Sequence, residues 1–355
     1  MMKKLFLIAL AFSLVLLAST RTWALEREDG RIKLILHEGT GRFSIYYLKS
    51  FKEKQYVSFL VDKDPRTSVV SVLIGNNIYR LGETSKFQEK VEKTVQGARF
   101  VWVSNLLQVT EDFAFITSNG SPLTDGVKIT FQLKNTSEQD LTVGLRVLFD
   151  TYLGEDSYVH FKTDQVSEIT HETTILKGNM VKYWISPLVG DSDNFGLQVL
   201  TNAKGITTPD RVVFANWKRL NDSSWLYETS TSRNFNLLPY SINDSAVCQY
   251  YDPLKLEKGE TRSIVLLLGK YDPEGWDLSG EKTGVSLNKL LKKTASESTS
   301  EDVYISAQAD LSTLNKLIEE IDNLLEKKEK LTSENVDFVD EILGSLKERI
   351  NKYTK

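Results

Sequence analysis

A single cysteine, Cys248, stands in a chain of 355 residues, so no intramolecular disulfide forms and the fold rests on core burial alone. Histidine is almost as scarce. His37, His160 and His171 are the whole set, so nothing after 171 supplies an imidazole to a metal site or to a Ser/His/Asp triad. No Gly-x-Ser-x-Gly elbow, metal-ligand spacing or cofactor fingerprint is present, and the expectation is no cofactor, no metal and no catalytic residue. Beyond the first twenty residues no run of about 18 apolar residues occurs, which excludes a helical membrane span from the mature chain. An excess of positive charge is missing too. Forty-four basic residues face 48 acidic ones, a net charge of −4, and a mixed, mildly acidic surface argues against nucleic acid as a partner.

What the chain does have is an export leader. Lys3 and Lys4 precede an apolar run over 5–18 broken only by Ser13, and Thr22-Trp23-Ala24 offers a small-x-small cleavage site. The run is too short for a permanent anchor and no lipid-attachment cysteine follows it. The expected mature chain begins at Leu25 and is periplasmic or secreted. Loss of Lys3, Lys4 and Arg21 with the leader moves the net charge from −4 to about −7.

Between 31 and 269 the dominant period is two. Ile32, Leu34 and Leu36 share one parity, with Ile35 blurring the alternation, and Phe43, Ile45 and Tyr47 alternate with Ser44 and Tyr46. Val127, Ile129, Phe131 and Leu133 are separated by Lys128, Thr130 and Gln132. After a polar turn over 135–140, Leu141, Val143, Leu145, Val147 and Phe149 repeat the pattern, so the two runs are expected to pair as an antiparallel hairpin. Further strands are expected over 56–61, 68–74, 99–103, 113–117, 181–185, 195–200, 211–214 and 264–268. Ala246-Val247-Cys248 also reads as a strand, where a small buried cysteine is a packing residue rather than a nucleophile. More than ten strands with almost no intervening helix imply a mainly β fold, a large antiparallel β-sandwich.

The composition changes after Trp276. A short helix is possible over 285–292, and 294–302 has the Ser/Thr/Glu content of a mobile linker. Then the period becomes helical: Leu311, Leu314, Ile318, Ile321 and Leu325 form one seam, and Val336, Val339, Leu343, Leu346 and Ile350 a second. The expected layout is a signal peptide over 1–24, a β-sandwich domain over 25–275, a linker over 276–302 and a C-terminal α-helical hairpin over 303–355. The first seam packs on the sandwich, on another copy, or on a protein partner; the pattern fixes a buried stripe and not what buries it.

The polar segment Arg146, Asp150, Glu155, Asp156 and His160 is the densest candidate site. Its carboxylates have the chemistry to hold a hard cation and its imidazole to carry a proton. The plainer reading pairs Arg146 with a carboxylate on a polar face and bonds Asp150 and Thr151 to the turn backbone, the usual fate of Asp and Thr at strand ends. Glu168, His171 and Glu172 read as solvated strand residues. Asp191, Asp193 and Asn194 resemble a fragment of a calcium loop without its spacing, and read as a turn. Trp184, Trp217 and Trp225 are the candidate aromatic platform for a sugar, with Tyr227, Tyr240, Tyr250 and Tyr251 nearby in sequence; packing into strands and core is the alternative.

Three stretches together resemble a known group. They are Lys134-Asn135-Thr136-Ser137 with Leu145-Arg146-Val147-Leu148-Phe149-Asp150-Thr151-Tyr152-Leu153-Gly154, then Pro209-Asp210-Arg211-Val212-Val213-Phe214-Ala215-Asn216-Trp217, then Tyr251-Asp252-Pro253-Leu254-Lys255-Leu256-Glu257-Lys258-Gly259-Glu260. Over 26–272 the chain resembles uncharacterised exported bacterial proteins with a galactose mutarotase-like β fold, the supersandwich, and its layout also resembles periplasmic proteins of spirochaetes. Mutarotase-type enzymes use a histidine acid and a glutamate base, and their histidine motif has no counterpart here, so the resemblance implies the fold and transfers no catalytic residue. The expected function is a non-enzymatic periplasmic binding or structural protein, its sandwich a recognition module and its hairpin a docking or oligomerising element. The alternative is a carbohydrate-binding or carbohydrate-active protein using the sandwich face.

Overall fold

The computed structural model describes residues 24–50, 53–61, 65–121, 123–156, 158–188, 190, 195–276 and 278, together with 305, 307 and 311. The expected leader apart from Ala24, the linker apart from 276 and 278, the helical hairpin apart from those three positions, and the Asp191, Asp193 and Asn194 turn lie outside the described residues.

Strands dominate, and all of their pairings within the sheets are antiparallel. Strands β1 (Ala24–Asp29), β2 (Ile32–His37), β3 (Arg42–Ser50) and β4 (Gln55–Ser58) form a four-stranded sheet in chain order. A six-stranded sheet runs β13 (Thr173–Leu176), β16 (Arg211–Asn216), β17 (Ser245–Leu256), β11 (Leu141–Asp150), β5 (Val69–Ile74), β6 (Asn77–Arg80). An eight-stranded sheet runs β12 (Lys162–Thr163), β14 (Tyr183–Pro187), β15 (Gly196–Leu200), β18 (Thr261–Lys270), β10 (Gly126–Asn135), β9 (Leu107–Ile116), β8 (Gly97–Val103), β7 (Gln88–Thr94). An α-helix, α1 (Trp217–Asp222), follows β16.

Period two sets which face is core. On β10 the alternate residues Val127, Ile129, Phe131 and Leu133 are buried while Lys128, Thr130 and Gln132 keep part of their surface exposed, as a sheet with one wet face requires. Ile32, Leu34 and Leu36 of β2 join the same apolar cluster with Val143, Val147 and Phe149 of β11 and Leu266 and Leu268 of β18, so all three sheets share one core. Each such side chain contributes about 1.5–3 kcal/mol on burial. Among the ionisable groups that the layers bury, Glu111 of β9 is 0% exposed, neither of its carboxylate oxygens has a hydrogen-bond partner among the described residues, and burial holds it well above the usual carboxylate range.

The expected hairpin between β10 and β11 does not form. β10 pairs with β9 and β18, whereas β11 pairs with β17 and β5, so the turn between them crosses from one sheet to the other. The turn from β17 to β18 makes the same crossing beside it. Asn135 explains why both stay in place: it is fully buried, its Nδ2 faces the carbonyls of Gln139 at 2.8 Å, Leu256 at 3.0 Å and Glu257 at 3.1 Å, and its Oδ1 accepts from Ser137 N at 2.9 Å. Its own N–H donates to Glu260 O and its carbonyl accepts from Gly259 N. The polar turn is a clamp between two sheet-crossing corners, a role that alternation cannot distinguish from a hairpin loop.

Replacing Asn135 by Ala leaves buried carbonyls of both corners without a donor. The expected loss is about 2–4 kcal/mol, read as a lower midpoint in urea unfolding with an unchanged slope; a loss within about 0.5 kcal/mol, the range of a surface change, contradicts the clamp.

Candidate functional site

The six-stranded sheet is covered on both faces. Strand β11 is buried at every position from Val143 to Asp150, which a strand with one wet face would not be. Its outer face carries Val69 of β5, Leu148 of β11, Ala246, Cys248 and Tyr250 of β17, and Val213 and Ala215 of β16, forming a second apolar cluster. Over it lie Leu220 of α1 and the rings of Trp217, Trp225 and Tyr227.

The covering segment, 217–244, is mostly irregular, so its backbone groups need partners other than a ladder. Four side chains supply them. Asn216, fully buried, caps α1 by accepting from Lys218 N at 3.1 Å and Arg219 N at 3.4 Å, and its Nδ2 reaches Phe235 O at 2.9 Å and Asp244 O at 3.0 Å. Arg146 donates through Nη1 to Ser224 O at 3.0 Å and Trp225 O at 3.1 Å, with its guanidinium carbon 5.6 Å from the centre of the Trp225 ring. Arg219 donates to Asn234 O at 3.1 Å and Asn236 O at 2.8 Å. Glu172, with a side chain 0% exposed, accepts from Arg219 at 2.7 Å, from the Tyr227 hydroxyl at 2.9 Å and from Ser230 N at 3.0 Å. Gly144 is needed where Trp225 comes down on β11: a Cβ there would stand 3.1 Å from Trp225 Cζ2 and from Pro253 Cγ. The pairing of β11 with β17 shifts register at the same place.

Outside this cover lies a cleft of about 500 Å³ lined by Lys218, Arg219, Asp222, Ser223, Tyr227, Arg233 and Leu237. Lys218 pairs with Asp222 at 2.6 Å, Arg219 with Glu172, and Arg233 donates to the Tyr227 hydroxyl at 3.1 Å. Three cations stand against two carboxylates, and both carboxylates are engaged.

The candidate residues from the sequence divide between places. Arg146, Trp217 and Trp225 come together under the cleft. Arg146 is 3% exposed and, contrary to the expected pairing, takes main-chain carbonyls rather than a carboxylate, because the covering segment has replaced solvent on that face. Asp150 and Glu155 lie at the far end of β11. Asp150 is buried with its N–H bonded to Ser68 Oγ at 3.0 Å, and Thr151 Oγ1 donates to the carbonyl of Ser245 at the start of β17 rather than to its own turn. Glu155 accepts from Ser245 N at 2.9 Å; burial, with Asp150 and Asp244 nearby, pushes its carboxyl up to about 8. Asp156 is exposed. His160 is buried against the Phe235 ring at 4.5 Å, and that desolvation lowers it to about 4, so it stays neutral. Trp184 is corrected from platform to core: it has no exposed surface and packs on Phe149, Phe161 and Phe214. Glu172 is likewise corrected, from solvated strand residue to buried anchor.

Glu172, Arg219, Tyr227 and Arg233 were not legible as a group, since they lie on three separate segments. One signal was available: Asn216 ahead of Trp217-Lys218-Arg219-Leu220-Asn221-Asp222 is a cap before a helix bearing a Lys–Asp pair at i, i+4.

No family model matches the chain, and no curated protein matches it in sequence. Among solved structures it is similar to a polysaccharide lyase at 12% identity and TM-score 0.42, over 76% of this chain and 35% of that one. It is similar to a galactose mutarotase related enzyme from Lactobacillus acidophilus at 12% identity and TM-score 0.42, over 72% of this chain and 100% of that one. A galactose mutarotase-like protein from Lactobacillus casei matches at 9% identity and TM-score 0.41, over 70% and 100%. The chain spans about a third of the length of the polysaccharide lyase. At this degree of superposition no activity and no site residue passes from these proteins to this chain.

Because the Glu155 carboxyl titrates near 8 when folded and near 4.5 in an open chain, the native state keeps a proton that the unfolded chain releases. Its contribution to stability is complete below about pH 4.5 and is lost as pH rises toward 8. Glu155→Gln is expected to make that decline shallower in chemical unfolding at a series of pH values; the same decline in both proteins contradicts the assignment.

Proposed function

We propose that this is an exported, non-enzymatic binding protein whose β-sandwich presents the cleft over 218–237 to an acidic saccharide. The observation that carries the reading is the positive lining of that cleft in a protein whose net charge is negative. An ionised carboxylate on a sugar meets Lys218 and Arg233 at one opening, beside an Arg219 already committed to Glu172 and to main-chain carbonyls. Asp150, Glu155 and His160 do not line it, and its one lining carboxylate, Asp222, is held by Lys218. Charge recognition is therefore the chemistry that the opening offers.

The same reading gives the C-terminal seam Leu311, Leu314, Ile318, Ile321 and Leu325 the docking or self-association role. Leu311 is helical with 53% of its surface exposed.

Calorimetric titration with a uronic acid oligosaccharide and with its neutral counterpart tests the reading. The acidic ligand is expected to bind and the neutral one not, and Arg233→Ala, an exposed substitution, to weaken binding about 5–20-fold. Binding of both ligands alike, binding of neither, or an Arg233→Ala protein with unchanged affinity contradicts it.

A further inference from the structure

Beneath the cover, on the side of the 223–225 segment facing the sheet, the register aligns Ser71 of β5, Arg146 of β11 and Tyr250 of β17 as neighbours in one row on the outer face. Trp225 closes the row from above, its ring centre 6.1 Å from that of Tyr250. Ser71 and Tyr250 are fully buried and Arg146 nearly so. Ser71 Oγ, Arg146 Nε and Trp225 Nε1 are buried with no hydrogen-bond partner among the described residues, and the buried Tyr250 hydroxyl meets the Arg146 guanidinium and the Cys248 thiol. Two of these, the guanidinium N–H and the indole N–H, can only donate, and the Ser71 hydroxyl carries a proton to place.

Arg146 also has no carboxylate partner among the described residues. Asp252 is spoken for by Arg211 at 3.3 Å, and Asp150 lies four residues along β11, about 13 Å away. The two weak acids that do adjoin it stay protonated. Burial raises the Cys248 thiol to about 11 and pushes the Tyr250 hydroxyl well above its ordinary value, so neither a thiolate nor a phenolate balances the cation. A buried cation surrounded by surplus donors calls for a small anion from solvent.

We infer that the row Ser71, Arg146, Tyr250, closed by Trp225 Nε1, is a binding site for a monatomic halide, chloride in the physiological case, which neutralises Arg146 and locks the cover to the sheet. The site is separate from the cleft and does not depend on what the cleft binds.

Thermal unfolding of the full chain in chloride, bromide or gluconate at equal ionic strength tests this, together with crystals grown in bromide. Chloride and bromide are expected to raise the melting temperature saturably by about 2–4 °C over gluconate, and Tyr250→Phe and Arg146→Met to abolish that difference. Bromide is expected to give an anomalous peak between Ser71 and Tyr250. Where Arg146→Met does not fold, Tyr250→Phe and Ser71→Ala, each removing one oxygen, decide the matter. Equal melting in the three salts, or an ordered water in place of bromide, overturns the inference.

Discussion

An irregular segment can lie on an apolar sheet face only if its backbone N–H and C=O groups find partners there, and in this protein that requirement falls on Asn216, Arg146, Arg219 and Glu172. Glu172 is the hinge of the set, since it ties the strand segment before β13 to α1 through Arg219, to the descending chain through Tyr227, and to the backbone through Ser230 N. Its charge is tolerable at 0% exposure because Arg219 neutralises it and the remaining lone pairs are used. The cleft is a by-product of this solution. The outer ends of the anchoring groups, with Lys218 and Arg233, are what solvent and ligand meet.

The sandwich obeys the same rule at its far corner. Two turns of the chain cross there from one sheet to the other, and the polar groups that leave the ladders are collected by Asn135. In both places a buried asparagine does what a ladder cannot, because a carboxamide presents a donor and an acceptor within a few ångströms. Apolar burial supplies the driving force for the layers, and these carboxamides fix where the chain turns and crosses.

The strands were largely legible because a sheet with one wet face imprints period two. Val127 to Leu133 and Ile32 to Leu36 bury as their alternation says. The partners of those strands were not legible: β10 and β11 look like a hairpin at short range, and only the long-range pairing with β17 and β18 shows a corner. Strand β11 carried a warning in its near-continuous apolar run from Val143 to Phe149, which suits a strand buried on both sides. Arg146 then reads differently: an arginine inside such a run has no wet face to sit on. Glu172 left no trace of its role, because its partners come from α1, Tyr227 and Ser230 and nothing in local spacing joins them.

Native-state hydrogen exchange at the Ser230 amide, the backbone donor to Glu172, tests the central claim most directly. If the polar anchors make the cover part of the folded sandwich, that amide is protected to within about tenfold of amides in β16 and β17, and Glu172→Gln lowers its protection selectively. Exchange of the Ser230 amide at the rate of an exposed loop in the unaltered protein would show that the cover opens on its own, and would remove the structural basis of the cleft.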